Sequence, residues 1–406
     1  MDKAAFYRRA RQGGDGPIEG VRVIDATTAW AGPMASCLLA DLGCDVIRVD
    51  LPGQGGTHFP PDIPGTGLSW THQTVNRNKR SLSLDLRTEK GKDLFLSLAR
   101  TADVVVENFK PGTLAGWGVG YEECRSVRED IVYVSISGWG QYGPWSGRAG
   151  YDPAALAASG WMSLNGAPEG TPVKAPTFLA DDLAALHAAM STLAALHHRD
   201  RTGEGQHVDV SLLDSILFQS DGLLTLGGTG SPLRRWGSQL GVSVPCDTYE
   251  CADGYVYIAV ALDSHWRRMA QIMGRPELAE APGLATNAER IEHRDEANAP
   301  IIEWCRKRPV EEVLEAVAGA GIVIARVNSY EEAAAEPHVR DREMLKTVTL
   351  ANGTTAPITA PAAKFSRTPT TIRTPAPTTG QDTDDVLDML GVDEAARRAL
   401  RQEGVI

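Results

Sequence analysis

Residues 21–50 read VRVIDATTAWAGPMASCLLADLGCDVIRVD and contain the pattern of a strand, a helix and a second strand. Val21–Asp25 is a short apolar run with β-branched residues, which is typical of a strand buried in a parallel sheet. Ala31–Leu42 is an amphipathic segment with Pro33 in its first turn, where proline is tolerated. Asp45–Asp50 is a second strand-like run. A strand, a helix and a strand at this spacing predict a βαβ unit.

The same alternation continues outward from this unit. It predicts an α/β fold whose first part is an open, mostly parallel sheet. The further strands and helices are predicted at Ser81–Leu86, Thr88–Arg100, Asp103–Glu107, Tyr121–Val127, Ile131–Ser137 and His207–Ser211.

A different pattern follows the glycine-rich segment Leu226–Gly241. Two strand-like runs flank a hairpin signal at residues 252–254, and three helical runs follow, which together predict a small α+β domain. We therefore expect a large domain in residues 1–225, a small domain in residues 226–333 and a final segment in residues 334–406. The runs of the small domain are Cys246–Glu250, Tyr255–Val260, Ser264–Met273, Ala288–Lys307 and Val310–Ala318.

The composition of the chain argues against several classes of protein. The 406-residue chain has a formal net charge of −12, which argues against nucleic-acid binding through a broadly basic face. The six cysteines form no CxxC pair, so we expect no metal site and no disulfide framework. The first residues contain no apolar run, and we expect no membrane-spanning stretch. This composition predicts an enzyme or binding protein of the cytoplasm.

Phe178–Arg199, FLADDLAALHAAMSTLAALHHR, is predicted to form a long helix that opens with two adjacent carboxylates, Asp181 and Asp182. One aspartate at a helix start is explained as an N-cap, because its oxygen accepts the unpaired N–H groups. The other could be held at a buried helix start, where the helix dipole keeps it ionised and able to act as a nucleophile. The residues alone leave both interpretations open.

Three loops are predicted where strands end, at the edge of the sheet where α/β proteins bind ligands. They are Ala26–Gly32, Asn108–Gly112 and Gly138–Gly143. The third reads GWGQYG and matches the GxGxxG pattern of a dinucleotide-binding turn. We reject that function, because the motif needs a helix directly after the glycines and Pro144 begins a loop-forming sequence instead.

Eight segments in order, over nearly the whole chain, resemble the family III CoA-transferases, which include formyl-CoA transferase, carnitine CoA-transferase and α-methylacyl-CoA racemase. The resemblance implies a Rossmann-like large domain formed by both chain ends, a small domain, and an interlocked dimer with active sites built from both chains. The segments are residues 21–50, NRNKRSLSLDL at 76–86, VENFKPG at 106–112, SISGWGQYGP at 135–144, AGYD at 149–152, LAALHHRDRTGEGQHVDVSLLD at 193–214, GQDTDDVLDMLG at 380–391 and the final EGVI.

The resemblance also assigns site residues. The family's nucleophilic aspartate falls on Asp181, and an aromatic–acid pair that lies near it falls on Tyr151 and Asp152. A glycine-rich loop that covers the nucleophile falls on Gly237–Gly241, with Ser238 and Gln239 inside it. The implied CoA contacts are Ala31, Leu84, Asn108 and Phe109.

The chain departs from the family pattern at several positions. Trp30 stands where the transferases often carry glutamine, which suggests a bulkier or more apolar pocket wall. Two basic CoA contacts of formyl-CoA transferase fall on Leu51 and Gly116, so other cations must hold the CoA phosphates. An acidic protein has to concentrate positive charge locally to do so. The candidates are Arg48, Arg77, Lys79, Arg80 and Arg148.

The activity that the resemblance implies is CoA transfer from an acyl-CoA donor to a carboxylic acid, through an aspartyl anhydride and an aspartyl-CoA thioester. CoA and its thioesters are then substrates, with succinyl-CoA a possible donor, and no cofactor is expected to be tightly bound. We expect a homodimer, or a heteromer with a paralogous chain. Tryptophans near the predicted site favour an apolar or aromatic acceptor acid; they are Trp30, Trp139, Trp145 and Trp161.

Two alternatives stay open. The first is a 2-methylacyl-CoA racemase, which would shuttle a proton between two titratable groups. The racemases' AGHD motif is AGYD here, and Tyr151, with an ordinary pKa of about 10, is a poor partner at neutral pH. The second is one subunit of a heteromeric transferase.

Overall fold

The fold is described from a computed structural model, which describes residues 2–11, 13–53 and 59–406. The strands are β1 (Arg22–Ala26), β2 (Asp45–Asp50), β3 (Asp62–Ile63), β4 (Leu68–Ser69), β5 (Lys79–Ser83), β6 (Val104–Glu107), β7 (Val132–Ser137), β8 (Gln206–Ser211), β9 (Cys246–Cys251), β10 (Gly254–Ala259), β11 (Val323–Arg326), β12 (Leu345–Thr349) and β13 (Thr355–Thr359). The helices are α1 (Lys3–Tyr7), α2 (Ala31–Asp41), α3 (Trp70–Val75), α4 (Glu89–Ala99), α5 (Thr113–Gly116), α6 (Tyr121–Val127), α7 (Asp152–Ala158), α8 (Trp161–Leu164), α9 (Leu179–Thr202), α10 (Leu212–Phe218), α11 (Leu223–Gly228), α12 (Asp263–Ile272), α13 (Asn287–Glu292), α14 (Arg294–Arg306), α15 (Val310–Gly319), α16 (Tyr330–Ala335), α17 (Pro337–Asp341), α18 (Thr383–Met389) and α19 (Glu394–Gln402), with a 3₁₀ turn at Pro276–Glu280.

The central sheet confirms the predicted α/β class with parallel strands. Its six strands are all parallel and lie in the order β5-β2-β1-β6-β7-β8. Because β1 lies in the middle and the chain leaves it in both directions, the loops after β1 and β6 diverge at a switch point, where such sheets bind ligands. No helix follows the glycines after β7 directly, since the next helix begins at Asp152.

The chain divides into two compact units. The second unit, which we call the small unit, contains a three-stranded antiparallel sheet in the order β11-β10-β9. A stretch that we expected in the large domain, Met162–Val173, groups with the small unit. The first unit consists of the residues up to Trp161, Lys174–Gly230 and Pro337–Ile406, and the small unit of Met162–Val173 and Ser231–Glu336.

Both ends of the chain contribute to the first unit. The Asp382 carboxylate accepts the N–H of Ser81 on β5 at 2.8 Å, and Asp85 donates its N–H to the Val405 carbonyl at 2.8 Å. Leu387 and Val405 are buried in the same hydrophobic cluster as the strands. The last helices therefore cover the edge of the sheet at β5.

The single helix predicted over Ala288–Lys307 is two helices, α13 and α14. His293 separates them, with φ −107° and ψ 43°, outside the helical region. Its Nδ1 lies 3.3 Å from the Glu296 carboxylate in the first turn of α14. A local side-chain contact thus accompanies the break between the two helices. The spacing of apolar residues in the sequence gives no sign of such a contact.

Helix α9 has 24 residues and, by length and composition alone, is long and apolar enough to cross a membrane, although no such stretch was expected from the sequence. It packs against α2 and α10 in the first unit. Its buried positions are mostly alanines, including Ala184, Ala185 and Ala188, which let the neighbouring backbones approach. This packing is that of a core helix.

Two cations of the NRNKR run, Arg77 and Lys79, are buried in ion pairs with aspartates. The Nζ of Lys79 lies 2.7 Å from the Asp25 carboxylate, and both side chains are fully buried. The same Nζ donates to the carbonyl of Pro33 at 2.8 Å, which ties β5 to the first turn of α2. Burial opposes ionisation of Asp25, but the charges of Lys79 and Arg48 hold its pKa below the usual value. A buried pair of this kind persists only when its hydrogen bonds are satisfied.

Replacing Lys79 should therefore destabilise the first unit strongly. Lys79→Met leaves the buried Asp25 carboxylate without its counter-charge, and we expect the free energy of unfolding to fall by roughly 3–5 kcal/mol. Urea denaturation measures it. Lys90→Met is the control, because its pair with Glu403 is half exposed and worth less than about 1 kcal/mol. Equal losses for the two variants would contradict the importance of the buried pair.

Candidate active site

The first turn of α9 presents both aspartates, but neither is the N-cap. The N-cap residue is Phe178, whose side chain makes no capping hydrogen bond. The cap comes from Asp152 at the start of α7, whose Oδ1 accepts the N–H of Ala180 at 2.7 Å and whose carboxylate also accepts the N–H of Asp181. Asp152 thus satisfies N–H groups that a helix start leaves unpaired. The carboxylates of Asp181 and Asp182 are therefore not needed to pair with these N–H groups.

Asp181 is held in conditions that oppose its ionisation. Burial raises the pKa of Asp181 to about 7, and the negative charges of Asp152 and Asp182 act in the same direction. Near neutral pH roughly half of this carboxyl group is ionised. A carboxylate whose pKa is raised in this way is a better base and a better nucleophile than an ordinary one.

Asp182 anchors the aromatic side chain of Trp30. The indole Nε1 donates to the Asp182 Oδ1 at 2.6 Å, across 152 positions of the chain. The Trp30 ring packs at centroid distances of 5.1 Å from Phe178 and 5.6 Å from Trp70. Because the only polar atom of the indole is engaged, Trp30 presents an apolar surface.

The turn after β1 and the loop after β6 are joined by one amide side chain. Asn108 Oδ1 accepts the Thr28 N–H at 2.8 Å, and its Nδ2 donates to the Thr28 carbonyl at 2.7 Å. A Cβ at Gly32 would lie 2.6 Å from Thr27 and 2.8 Å from Asn108, so only glycine allows this approach. Ala29 in the same turn adopts a φ of 61°, an uncommon value for a residue with a side chain.

These elements enclose a cavity of about 270 Å³ in the first unit. Seven residues of the predicted site line it: Asp181, Tyr151, Trp30, Ala31, Asn108, Phe109 and Arg148. Tyr151 is 71% exposed, and Asp152 lies behind Asp181 as the cap. The other lining residues are Thr28, Ala29, Lys110, Pro111, Ile136, Ser137, Gly138, Ser146, Ala149, Gly150 and Leu212.

Two residues of this region escaped the sequence analysis. Lys110 lines the cavity as a second cation beside Arg148. Glu107 at the end of β6 is buried, and its Oε2 accepts the Phe109 N–H at 2.8 Å. Burial raises the pKa of Glu107 to about 7. Both residues belong to the quoted VENFKPG motif, and their position directly beside the strand end was the available signal.

Most of the basic candidates for the CoA phosphates lie elsewhere. Arg48 is buried and its Nη2 lies 2.7 Å from Asp50, while Arg77 pairs with Asp41 and Lys79 with Asp25. These three cations neutralise buried acids of β1, β2 and α2, because a buried carboxylate needs a counter-charge. Arg80 forms a bidentate pair with Asp45 outside this cavity, and Leu84 packs in the hydrophobic core. Arg148 alone of the five cations lines the cavity.

The predicted covering loop, Gly237–Gly241, belongs to the small unit. There the guanidinium of Arg294 donates to the Leu240 carbonyl at 2.9 Å and to the Gly241 carbonyl at 3.2 Å. It also donates to Gln239 Oε1 at 3.2 Å, and the Ser238 hydroxyl donates to Asp247. The loop is thus held at several points by its own unit. Its role as a cover for Asp181 stays a prediction.

Comparison with known proteins identifies the class of enzyme. The model of CoA-transferase family III matches residues 18–383. A succinate–glutarate CoA-transferase of Agrobacterium fabrum is 36% identical over 380 residues, 91% of this chain and 95% of its own length. The succinyl-CoA–L-malate CoA-transferase beta subunit of Chloroflexus aurantiacus is 34% identical over 399 residues, 96% of this chain and 98% of its own.

A solved structure agrees with these relatives. The crystal structure of a CAIB/BAIF family protein from Brucella suis has a TM-score of 0.83 and 30% sequence identity, and covers 93% of this chain and 100% of that one. The chain belongs to CoA-transferase family III, which confirms the resemblance. It is a CoA-transferase, an enzyme that uses CoA thioesters as substrates.

The raised pKa of Asp181 predicts that the free energy of unfolding depends on pH. The folded protein keeps this proton up to a pH of about 7, whereas the unfolded chain loses it near pH 3.8, so ionisation costs stability between these values. Asp181→Asn removes that cost. We expect the variant to gain on the order of 2–4 kcal/mol over the wild type at pH 8 and little at pH 4.

Urea denaturation at several pH values measures the difference. Asp200→Asn, on the exposed side of the same helix, should track the wild type at every pH. A constant difference between Asp181→Asn and the wild type from pH 4 to pH 8 would contradict the raised pKa.

Proposed function

We propose that this enzyme transfers CoA between two acids through covalent intermediates on Asp181. The Asp181 carboxylate attacks the thioester carbonyl of the donor, the C–S bond breaks, and CoA thiolate leaves an aspartyl anhydride. The thiolate then attacks the Asp181 carbonyl carbon, which releases the donor acid and forms an aspartyl-CoA thioester. The acceptor carboxylate displaces this thiolate to give a second anhydride. Attack of the thiolate on the acceptor acyl carbon yields the new thioester and frees Asp181.

The observation that supports this proposal most directly is the environment of Asp181. Its carboxyl group lines the cavity at the switch point of the sheet, and burial raises its pKa to about 7. Asp181 is half-buried there, which limits the access of water that would otherwise hydrolyse each intermediate. Asp152 accepts backbone N–H groups of the helix start, so the backbone that carries the reacting carboxylate is held in position.

Two cations and an amide suit the CoA moiety. Arg148 and Lys110 line the cavity and form no ion pair with a carboxylate of the described chain, so their charges are available for phosphates. Asn108 and Phe109 hold the loop after β6, and Ala31 begins α2 beside it. We assign the CoA contacts to these five residues. Arg48, Arg80 and Leu84 are left out because they are buried or paired elsewhere.

The substrates follow from the relatives and from the cavity wall. The relatives reported above are named for succinate, glutarate and malate, which are short acids with two carboxylates. We propose succinyl-CoA as the donor and a short dicarboxylic acid as the acceptor. Trp30 would contact the methylene chain of the acid, because its indole N–H is engaged by Asp182. We propose this acceptor in place of the apolar or aromatic acid that the tryptophans favoured.

We also propose a homodimer. Several apolar side chains of the first unit are exposed, including Leu186 and Met190 one turn apart on α9, Phe218 on α10 and Leu224 on α11. Soluble monomers rarely leave such side chains clustered in the open. A second copy is the occupant we favour, with a paralogous chain as the alternative, because one relative is named as a beta subunit. Light scattering on the purified chain should give twice the monomer mass, and a monomer that needs an added second chain for activity would contradict the homodimer.

We also propose a Rossmann-like large domain and a cytoplasmic location. The predicted Rossmann-like description is supported by the strand order of the central sheet. A cytoplasmic location is supported by the six cysteines, which are all buried as free thiols, as expected in a reducing compartment.

Trapping the covalent intermediate tests the reaction. The enzyme is incubated with succinyl-CoA, quenched with hydroxylamine and digested, and the peptide that carries Asp181 is analysed by mass spectrometry. We expect a hydroxamate on Asp181 and a loss of transfer of at least about a thousandfold in Asp181→Ala. Asp200→Ala is the matched control on the same helix and should keep wild-type turnover. An unmodified Asp181 together with exchange of an α-proton would favour the racemase alternative.

A further inference from the structure

Glu107, the last residue of β6, is a buried carboxyl group that the proposed reaction does not use. Its side chain is 5% exposed, and its Oε2 accepts the N–H of Phe109 at 2.8 Å. The ring of Phe109 packs edge-on against Trp117, with the ring centroids 5.3 Å apart, so this residue is held by both its backbone and its side chain. Glu107 therefore fixes the start of the loop after β6, whose residues 108–111 line the cavity.

Glu107 differs from other buried carboxylates of the sheet because it lacks a cation. Asp25, for example, lies 2.7 Å from the Nζ of Lys79. In the part of the chain that the structure describes, no lysine or arginine pairs with Glu107, and the negative charge of Asp209 on β8 opposes its ionisation. An amide side chain could accept the same N–H without the cost of burying a charge. A carboxyl group at this position is therefore suited to change its protonation state.

A hydrogen-bonded chain connects Glu107 to the edge of the sheet. The hydroxyl of Ser135 on β7 donates to the Glu107 carboxylate, and its Oγ lies 2.9 Å from the Nε2 of His207 on the edge strand β8. A hydroxyl has one proton, so while Ser135 donates to Glu107, the Nε2 of His207 must donate to Ser135. A protonated Glu107 can instead donate to Ser135, which then donates to a neutral His207. The chain can thus satisfy the hydrogen bonds of Glu107 in either protonation state.

The other groups around Glu107 leave it as the group that titrates near neutral pH. On the β1 side its neighbour is Ala26, which has no charge. The titratable groups that face Glu107 or its neighbour Tyr133 are Asp209 of β8 and Glu123 and Cys124 of α6. Burial raises the pKa of Tyr133 above its ordinary value and that of Cys124 to about 12, so both are neutral. Burial and the charge of Asp209 raise the pKa of Glu107 to about 7, against the hydrogen bonds that favour its ionised form.

We propose that Glu107 is a positioning residue for CoA, whose ionised carboxylate holds the Phe109 N–H and with it the loop that contacts CoA. This inference rests on the proposed function, which assigns Asn108 and Phe109 to CoA. A hydrogen bond to an ionised acceptor is roughly twice as strong as one to a neutral acceptor. The loop is therefore held most firmly when Glu107 is ionised. CoA should then bind more tightly above the pH at which Glu107 loses its proton, and bound CoA should in turn favour the ionised form.

Binding of CoA at different pH values tests this proposal. Asp181→Asn serves as the parent, because it removes a second carboxyl group with a pKa of about 7 and prevents any covalent step. Isothermal titration with CoA, between about pH 5.5 and pH 8.5, compares the parent with Glu107→Gln in the same background. The glutamine keeps an acceptor for Phe109 but cannot ionise, and ionisation of the CoA phosphates affects both proteins alike. We expect equal dissociation constants at the lowest pH and about threefold to thirtyfold tighter binding by the parent at the highest.

A second variant and a control complete the design. The Ser135 hydroxyl favours the ionised form of Glu107, so Ser135→Ala should move the pH at which CoA binding strengthens to a higher value. This variant keeps the test valid if Glu107→Gln does not fold. Glu129→Gln is the matched control, since this exposed glutamate precedes β7 and its variant should follow the parent at every pH. Thermal unfolding confirms that each variant is folded.

A ratio of dissociation constants that stays the same at every pH would show that Glu107 is merely structural and would overturn the proposal. Tighter binding by Glu107→Gln at high pH, or an unshifted profile in Ser135→Ala, would overturn it as well.

A further variant separates the role of Glu107 from the proposed CoA contacts. Asn108→Ala loses both hydrogen bonds to Thr28 and should weaken CoA binding at every pH. Unchanged binding in this variant would overturn the assignment of the loop to CoA, and the role of Glu107 with it. Trapping on Asp181 is a separate measurement, so a hydroxamate there, together with weaker binding in Asn108→Ala and no pH-dependent effect of Glu107→Gln, would overturn the positioning role alone.

Discussion

The active site depends on the two hydrogen bonds that Asp152 accepts from the start of α9. Helix starts leave N–H groups unpaired, and a capping side chain within the first turn is the usual solution. Here the cap comes from another helix, so Asp181 does not serve as the cap although it lies in the first turn. The same arrangement brings two negative charges together in a buried place. That proximity, together with burial, keeps the pKa of Asp181 high.

The cap from another helix also depends on where α7 begins, and a close contact between two glycines lies directly before that helix. Gly138 at the end of β7 and Gly150 before α7 meet there, and a Cβ on Gly138 would lie 2.7 Å from the Gly150 Cα. Only glycines allow the strand end and the loop to touch. The contact places Tyr151 and Asp152 beside the switch point, as Gly32 does for the turn after β1. The precision of the site therefore comes from the close approach of backbones.

The sequence predicts the central sheet well because its strands are buried on both faces. Residues 132–137 of β7 are all buried, and such runs are recognised without any partner. The burial of three basic candidates in ion pairs was not predicted, for a related reason. NRNKR has the composition of an exposed loop, yet Lys79 starts β5 and pairs with an acid 54 positions earlier in the chain. Long-range charge pairing leaves no periodic signal, so burial of a cation is invisible until the fold is known.

Several basic side chains of this protein are therefore paired with acids inside the fold. Lys79 and Arg48 neutralise aspartates of β1 and β2, Arg77 neutralises the aspartate that ends α2, and all three pairs are buried within the fold. Cations without a carboxylate partner stand out against this background. Those of the first unit that line the cavity are Arg148 and Lys110. In an acidic chain, a cation that the fold does not need for an internal acid is available for an anionic substrate, and CoA carries several negative charges on its phosphates.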